Sequence, residues 1–246
     1  MKRCSVWLAV TVAAVLGGAA AVADTTTFGF RDFRWPDSTN GQIGAAQLFM
    51  DVTAYGANQV LFTFHNDQVP QWSNCRIAGV YFDDGALLGI AGLIDADQNN
   101  GDPGVDFTQD GLAKVTPPEL PGATNIKFVT TGDYGAKKKF MSADADNPDG
   151  PYWSVAPGES LGIFFNLQSG KTLTDVIDTL MNGGYNENGG YGLRVGLHVT
   201  GFDQNSPLGG NSTSFVNIPT PIPAPGAALL GVLGLTLVGW VKRRLS

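Results

Sequence analysis

The chain has 246 residues, of which 33 are Gly and 14 are Pro; 43% are apolar and only 15% are charged. Gly and Pro together make up about a fifth of it, short of the roughly 25–30% that marks disordered sequence, and few charges with 10% aromatic residues point to a packed core. A formal charge of −7 excludes a nucleic-acid binder, which needs a basic face to displace phosphate counterions.

Residues 1–23 read as a secretory signal peptide. Lys2 and Arg3 form the positive start, Val6 to Leu16 the apolar stretch, and Ala21-Val22-Ala23 a small-x-small cleavage site that leaves Asp24 as the new N-terminus. Cys4 leaves with this segment. Cys75 is then the single cysteine of the exported chain, so no internal disulfide forms, and its place before a predicted strand suits a buried, inert thiol.

The stretch 24–218 spans 195 residues and holds all 22 acids but only ten of the 15 bases, for a formal charge of −12. Nineteen of its acids are Asp and three are Glu (Glu119, Glu159 and Glu187). Asp favours turns and Glu favours helices, so this bias points to β structure. The hydrophobic period agrees. Ala46, Leu48, Met50 and Val52 alternate with more polar neighbours, as do Val60, Phe62 and Phe64, with a turn at Tyr55-Gly56-Ala57-Asn58 between them: a hairpin. Further strands are predicted at 26–33, 77–82, 87–94, 126–131, 161–167, 193–202 and 214–218. One segment has helical spacing, Leu173, Val176, Ile177 and Leu180, with Thr172 as N-cap and Gly183-Gly184 as its stop. The expected fold is all-β: a two-sheet antiparallel sandwich, jelly-roll-like, with one short helix.

Within this domain the sharpest local motif runs from Asp95 to Asp106. Asp95, Asp97 and Asn99 fall at positions 1, 3 and 5 of a calcium loop and Asp106 at position 12, a spacing that offers hard oxygens to Ca²⁺. Position 6 is Asn100 rather than Gly and position 12 is the shorter Asp, so plain Asx-turns are the alternative. A second run, Asp144-Ala145-Asp146-Asn147-Pro148-Asp149-Gly150, has similar spacing. Enzyme motifs are lacking: there is no Gly-x-Ser-x-Gly elbow, no His-Glu-x-x-His and no phosphate-cradling loop, and His65 and His198 both sit within predicted strands. The reading is therefore a non-enzyme. Trp35, Trp72 and Trp153 each lie beside or near a proline, where loop aromatics present rigid area to a sugar ring or else cap the ends of the core. Lys137-Lys138-Lys139 reads as a solvated loop that could pair with an acidic polysaccharide.

The C-terminal end has three parts. Residues 219–226 read as a proline-rich linker, 227–241 as an uncharged transmembrane helix about 23 Å long, and 242–246 as a basic tail that stays on the cytoplasmic side. Pro223-Ala224-Pro225, the short apolar segment and Lys242-Arg243-Arg244 together resemble the bacterial PEP-CTERM sorting signal, with Ala224 where the usual motif has Glu. The segments VLFTFHN (60–66), VYFDDG (80–85), GVDF (104–107), PGESLGIF (157–164), DVIDTL (175–180) and RVGLHVTG (194–201) are similar to a group of PEP-CTERM secreted proteins with no assigned activity. The resemblance implies export, transient inner-membrane anchoring, cutting by signal peptidase and an exosortase-type protease, and delivery to the cell surface or exopolysaccharide matrix. Three functions follow in order: a non-enzymatic surface or matrix protein, a carbohydrate-binding module, and a polysaccharide hydrolase of unrecognised type.

Overall fold

The computed structural model describes residues 25–67, 74–83, 87–95, 105–109, 120–122, 128, 132–133, 139–145, 153–183, 192–202 and 212–222. Its elements are β1 (Thr26–Asp32), α1 (Thr39–Gln47), β2 (Leu48–Tyr55), β3 (Gln59–Asn66), β4 (Arg76–Asp83), β5 (Leu87–Asp95), β6 (Phe107–Gln109), β7 (Gly132–Asp133), β8 (Lys139–Phe140), β9 (Ser142–Ala145), β10 (Ser160–Leu167), α2 (Leu173–Gly183), β11 (Arg194–Thr200) and β12 (Ser212–Ile222). The β-rich expectation holds.

Ten strands join one antiparallel sheet in the order β5-β10-β3-β2-β1-β12-β11-β4-β9-β6, and β7 pairs with β8 apart from it. The expected two sheets are thus one. It curls until its edge strands β5 and β6 approach each other, leaving the sheet nearly closed. The two halves face one another as sandwich layers do. Phe62 of β3 and Phe165 of β10 meet Phe82 of β4 edge-on across the interior, with ring centroids 5.2 and 4.6 Å apart. This geometry is the favourable one for aromatic pairs.

The alternation read from the sequence sorts the faces. Val60, Phe62 and Phe64 of β3 point inward, while Leu61, Thr63 and His65 point out. Gly56, with φ +66°, supplies the left-handed residue of the β2–β3 turn. The outer face of β12, β11 and β4 is covered as well: Leu120 and Phe128 form a second cluster there with Phe33, Tyr81 and Val216. Gly196 makes room for it, since a Cβ there would come within 2.7 Å of Leu120 Cδ2. Arg194 lies under this cover, 1% exposed, ion-paired with Asp83 and 5.1 Å from the Phe128 ring centre.

Helix α2 begins and ends as the spacing predicts. Thr172 and Asp175 cap it reciprocally: Asp175 Oδ2 accepts from Thr172 N at 2.8 Å, and Asp175 N donates to Thr172 Oγ1. Val176 and Leu180 reach the core. Helix α1 is a finding the period did not announce, in a segment whose Ala46 reads as the start of a strand. Ser38 caps it, its Oγ accepting from Gly41 N at 3.0 Å. Strand β12 likewise runs past Ile218, through Pro219 and Pro221, to pair Ile222 with Thr27. Pairing with β11 ends at Val216, so the prolines fall where β12 has one strand neighbour and their missing N–H is tolerated. Among the described residues no helix is long and apolar enough to cross a membrane; the predicted signal peptide and the 227–241 segment lie outside them.

Candidate functional site

A cleft of about 280 Å³ opens between the β1–α1 turn, the Pro121-Gly122 turn and the neighbouring strands β11 and β12. This is just below the range of small-ligand sites, about 300–1,000 Å³. One wall is the chain reversal out of β1. Asp32, 1% exposed, folds it: Oδ1 accepts from Arg34 N at 2.8 Å and Trp35 N at 2.9 Å, and Oδ2 accepts from Thr213 Oγ1 at 2.8 Å. Ser38 N then donates to Trp35 O at 3.0 Å, and Ser38 opens α1. The turn is over-determined. Trp35 therefore stands at its apex with its side chain outward, 56% exposed.

The strands bring His198 and Ser214. They are directly opposite in the β11–β12 ladder, and alternation puts them on the face turned away from core residues Leu197, Val199 and Phe215. Both line the cleft. Ser214 is 2% exposed and its hydroxyl has no hydrogen-bond partner among the described residues. A buried hydroxyl left unpaired costs about 1–3 kcal/mol. A bound polar group would recover that cost. Arg34, exposed, lies against Gly122, whose φ of +74° holds the facing turn. Asn40 and Ser212 complete the polar lining.

The three tryptophans separate. Trp35 is on the cleft; Trp153 is half-buried, packs against the core and accepts from Asp106 N at 2.9 Å through its carbonyl; Trp72 lies outside the described residues. Of the calcium-loop residues, Asp95 closes β5 and Asp106 precedes β6, while Asp97 and Asn99 lie outside the described residues. Among the described residues no group of three or more His, Cys, Asp or Glu side chains is placed to hold a metal ion. Asp144 of the second acidic run is in β9 and accepts from Tyr81 OH at 2.8 Å; burial, followed by the Asp144 charge, pushes the Tyr81 hydroxyl far above its ordinary range. The sorting residues Pro223, Ala224, Pro225, Lys242, Arg243 and Arg244 are outside the described residues too.

Elsewhere the outer face of β1, β2 and β3 carries a second polar group. Thr27 Oγ1 donates to Asp51 Oδ1 at 2.5 Å, and His65 Nε2 lies 3.2 Å from Asp51 Oδ2, its ring stacked on Phe49. The carboxylate sits between hydroxyl and imidazole, so the imidazole takes no proton from the hydroxyl, which is the step a nucleophilic triad needs. Burial disfavours the charged carboxylate, but the His65 and Thr27 hydrogen bonds and the His65 charge outweigh it and hold Asp51 below its usual range. Glu159 is likewise structural: Oε2 accepts from Ala156 N at 2.7 Å.

Sequence reasoning singled out Trp35, which the structure places on this cleft, but none of the other lining residues. Asp32, followed at two and three residues by the N–H groups it accepts, and Ser38 before α1 carry the local signature of an Asx-turn and a cap. Nothing local marks Ser214 or His198, which the ladder register brings to the same place. Comparison with protein-family models, with curated proteins and with solved structures finds no match to this chain.

Proposed function

We propose that the chain is a non-enzymatic cell-surface or exopolysaccharide-matrix protein, exported through its N-terminal signal and sorted by its PEP-CTERM-like end, whose β domain holds polysaccharide at the cleft beside Trp35. The observation that carries the binding half is Trp35 itself: an indole 56% exposed at the lip of a polar cleft, on a turn held by three hydrogen bonds to Asp32. An apolar face next to fixed donors matches a sugar ring, which has one apolar face and a polar rim. The carboxylate on the cleft, Asp32, is engaged in its turn, as Glu159 is in another, and this supports binding over hydrolysis.

The test is retention of the full chain on immobilised exopolysaccharide. Trp35→Ala is expected to reduce retention at least tenfold with an unchanged melting temperature, because the side chain is exposed. Equal retention of the two forms would overturn the cleft as the binding site.

A further inference from the structure

Resting on the reading of the cleft as a saccharide site, we propose that the sugar it takes carries a carboxylate, and that Arg34 and Ser214 receive it. The hydrogen-bonding balance of the lining argues this. A neutral sugar hydroxyl both donates and accepts, and sites for such rings offer carboxylate acceptors to match. Among the described residues the one acid on the cleft is Asp32, and its two oxygens already serve the N–H groups of Arg34 and Trp35 and the Thr213 hydroxyl. What faces the ligand is rich in donors. Arg34 brings a guanidinium with five N–H groups and no acceptor. The hydroxyl of Ser214 is buried and unpartnered among the described residues. Ser38 Oγ already accepts from Gly41 N, so its own proton remains to be given.

A planar anion satisfies such a set, and the guanidinium fork is the side chain that binds carboxylate through two parallel hydrogen bonds. Arg34 and Trp35 are consecutive on one fixed turn, so ring and charge are recognised side by side. A uronic acid, with its carboxylate on the ring, has that arrangement; a pyruvate ketal on a neutral sugar presents the same group. The negative domain slows the approach of an acidic polymer, but at 0.15 M salt this repulsion is screened beyond about 8 Å. Short-range contacts then decide affinity.

Isothermal titration of the full chain at 0.15 M salt tests this with three probes: an oligogalacturonate, the same oligomer with its carboxyl groups reduced, and a pyruvylated neutral oligosaccharide. The oligogalacturonate is expected to bind at least tenfold more tightly than its reduced form. Arg34→Lys, which keeps the charge and loses the fork, should weaken it about tenfold and leave the reduced form unaffected. Ser214→Ala gives the signature that a purely structural serine would lack: a higher melting temperature for the unliganded chain together with weaker carboxylate binding. Pyruvylated sugar binding in place of uronate would keep the carboxylate and reassign its source. Equal binding of the acidic and reduced oligomers would overturn the carboxylate proposal while the saccharide reading stands. Binding of none of the three would overturn both.

Discussion

Asp51 shows how a half-exposed carboxylate ties three strands together. It takes the Thr27 hydroxyl from β1 and meets His65 on β3. Its proton affinity is lower in the folded chain than the ordinary value of 3.8. The unfolded chain therefore binds the proton more readily. Asp51's contribution is present in full above pH 3.8 and is lost as pH falls through its lower folded value. Asp51→Asn should cost about 0.5–1 kcal/mol at pH 7, allowing for solvent screening. Urea melts from pH 7 down to pH 2 should also show a shallower acid loss than wild type. An Asn variant with the wild-type acid slope would place the acid sensitivity on other carboxylates.

Among the elements, α1 is the one whose local sequence argues against it. Thr39–Gln47 includes two glycines, Gly41 and Gly44, each unfavourable in a helix by about 1 kcal/mol relative to Ala. Tertiary packing requires them. A Cβ on Gly44 would overlap the Phe215 ring, and one on Gly41 would meet the carbonyl oxygens of Trp35 and Pro36. Intrinsic propensity predicts that Gly44→Ala stabilises the chain; the packing predicts the opposite. Overpacking costs about 1–3 kcal/mol, so a net loss of about 1–2 kcal/mol is expected in chemical denaturation. A gain in stability would mean that α1 does not rest on Phe215. The same helix supports the cleft, since its cap is Ser38, and the variant should weaken polysaccharide retention as well.

For the whole molecule, the closing seam is the distinctive feature. Edge strands β5 and β6 approach one another, and the acidic run from Asp95 to Asp106 joins the end of one to the start of the other. If Asp95, Asp97, Asn99 and Asp106 hold Ca²⁺, the ion stabilises that seam and the fold with it. Linkage then requires a higher melting temperature on adding the ion, by about 2.7 kcal/mol of stability at 100 times the dissociation constant. Calorimetry in millimolar Ca²⁺ against chelator should show the rise. An unchanged melt would leave the run as ordinary Asx-turns. One end of the core is closed by amides: Asn66 Nδ2 donates to Cys75 O at 2.7 Å and Val155 O at 3.0 Å, and its Oδ1 accepts from Gln47 Nε2. Cys75 is buried beside them, as its position before a strand suggested, its thiol 3.9 Å from Gln47 Oε1.

By itself the sequence determined what depends on neighbours a few residues apart. Period-two alternation in 60–64 placed β3 and sorted its faces, and the apolar run 161–167 placed β10; helical spacing with Thr172 placed α2; the sequence singled out Trp35 but left open whether it is exposed or caps the core. These follow from local geometry, in which side-chain direction repeats every two or 3.6 residues. Only the tertiary structure decided that the strands form one curled sheet, because strand order is a matter of long-range register that alternation does not encode. It also decided that glycine-containing Thr39–Gln47 is a helix, through contacts with Phe215, and that β12 continues through its prolines where β11 no longer pairs with it. The cleft was beyond local reading for the same reason. Asp32 and Ser214 are 182 residues apart, and only the pairing of β12 with both β1 and β11 brings Arg34, Trp35, His198 and an unpartnered buried hydroxyl to one place.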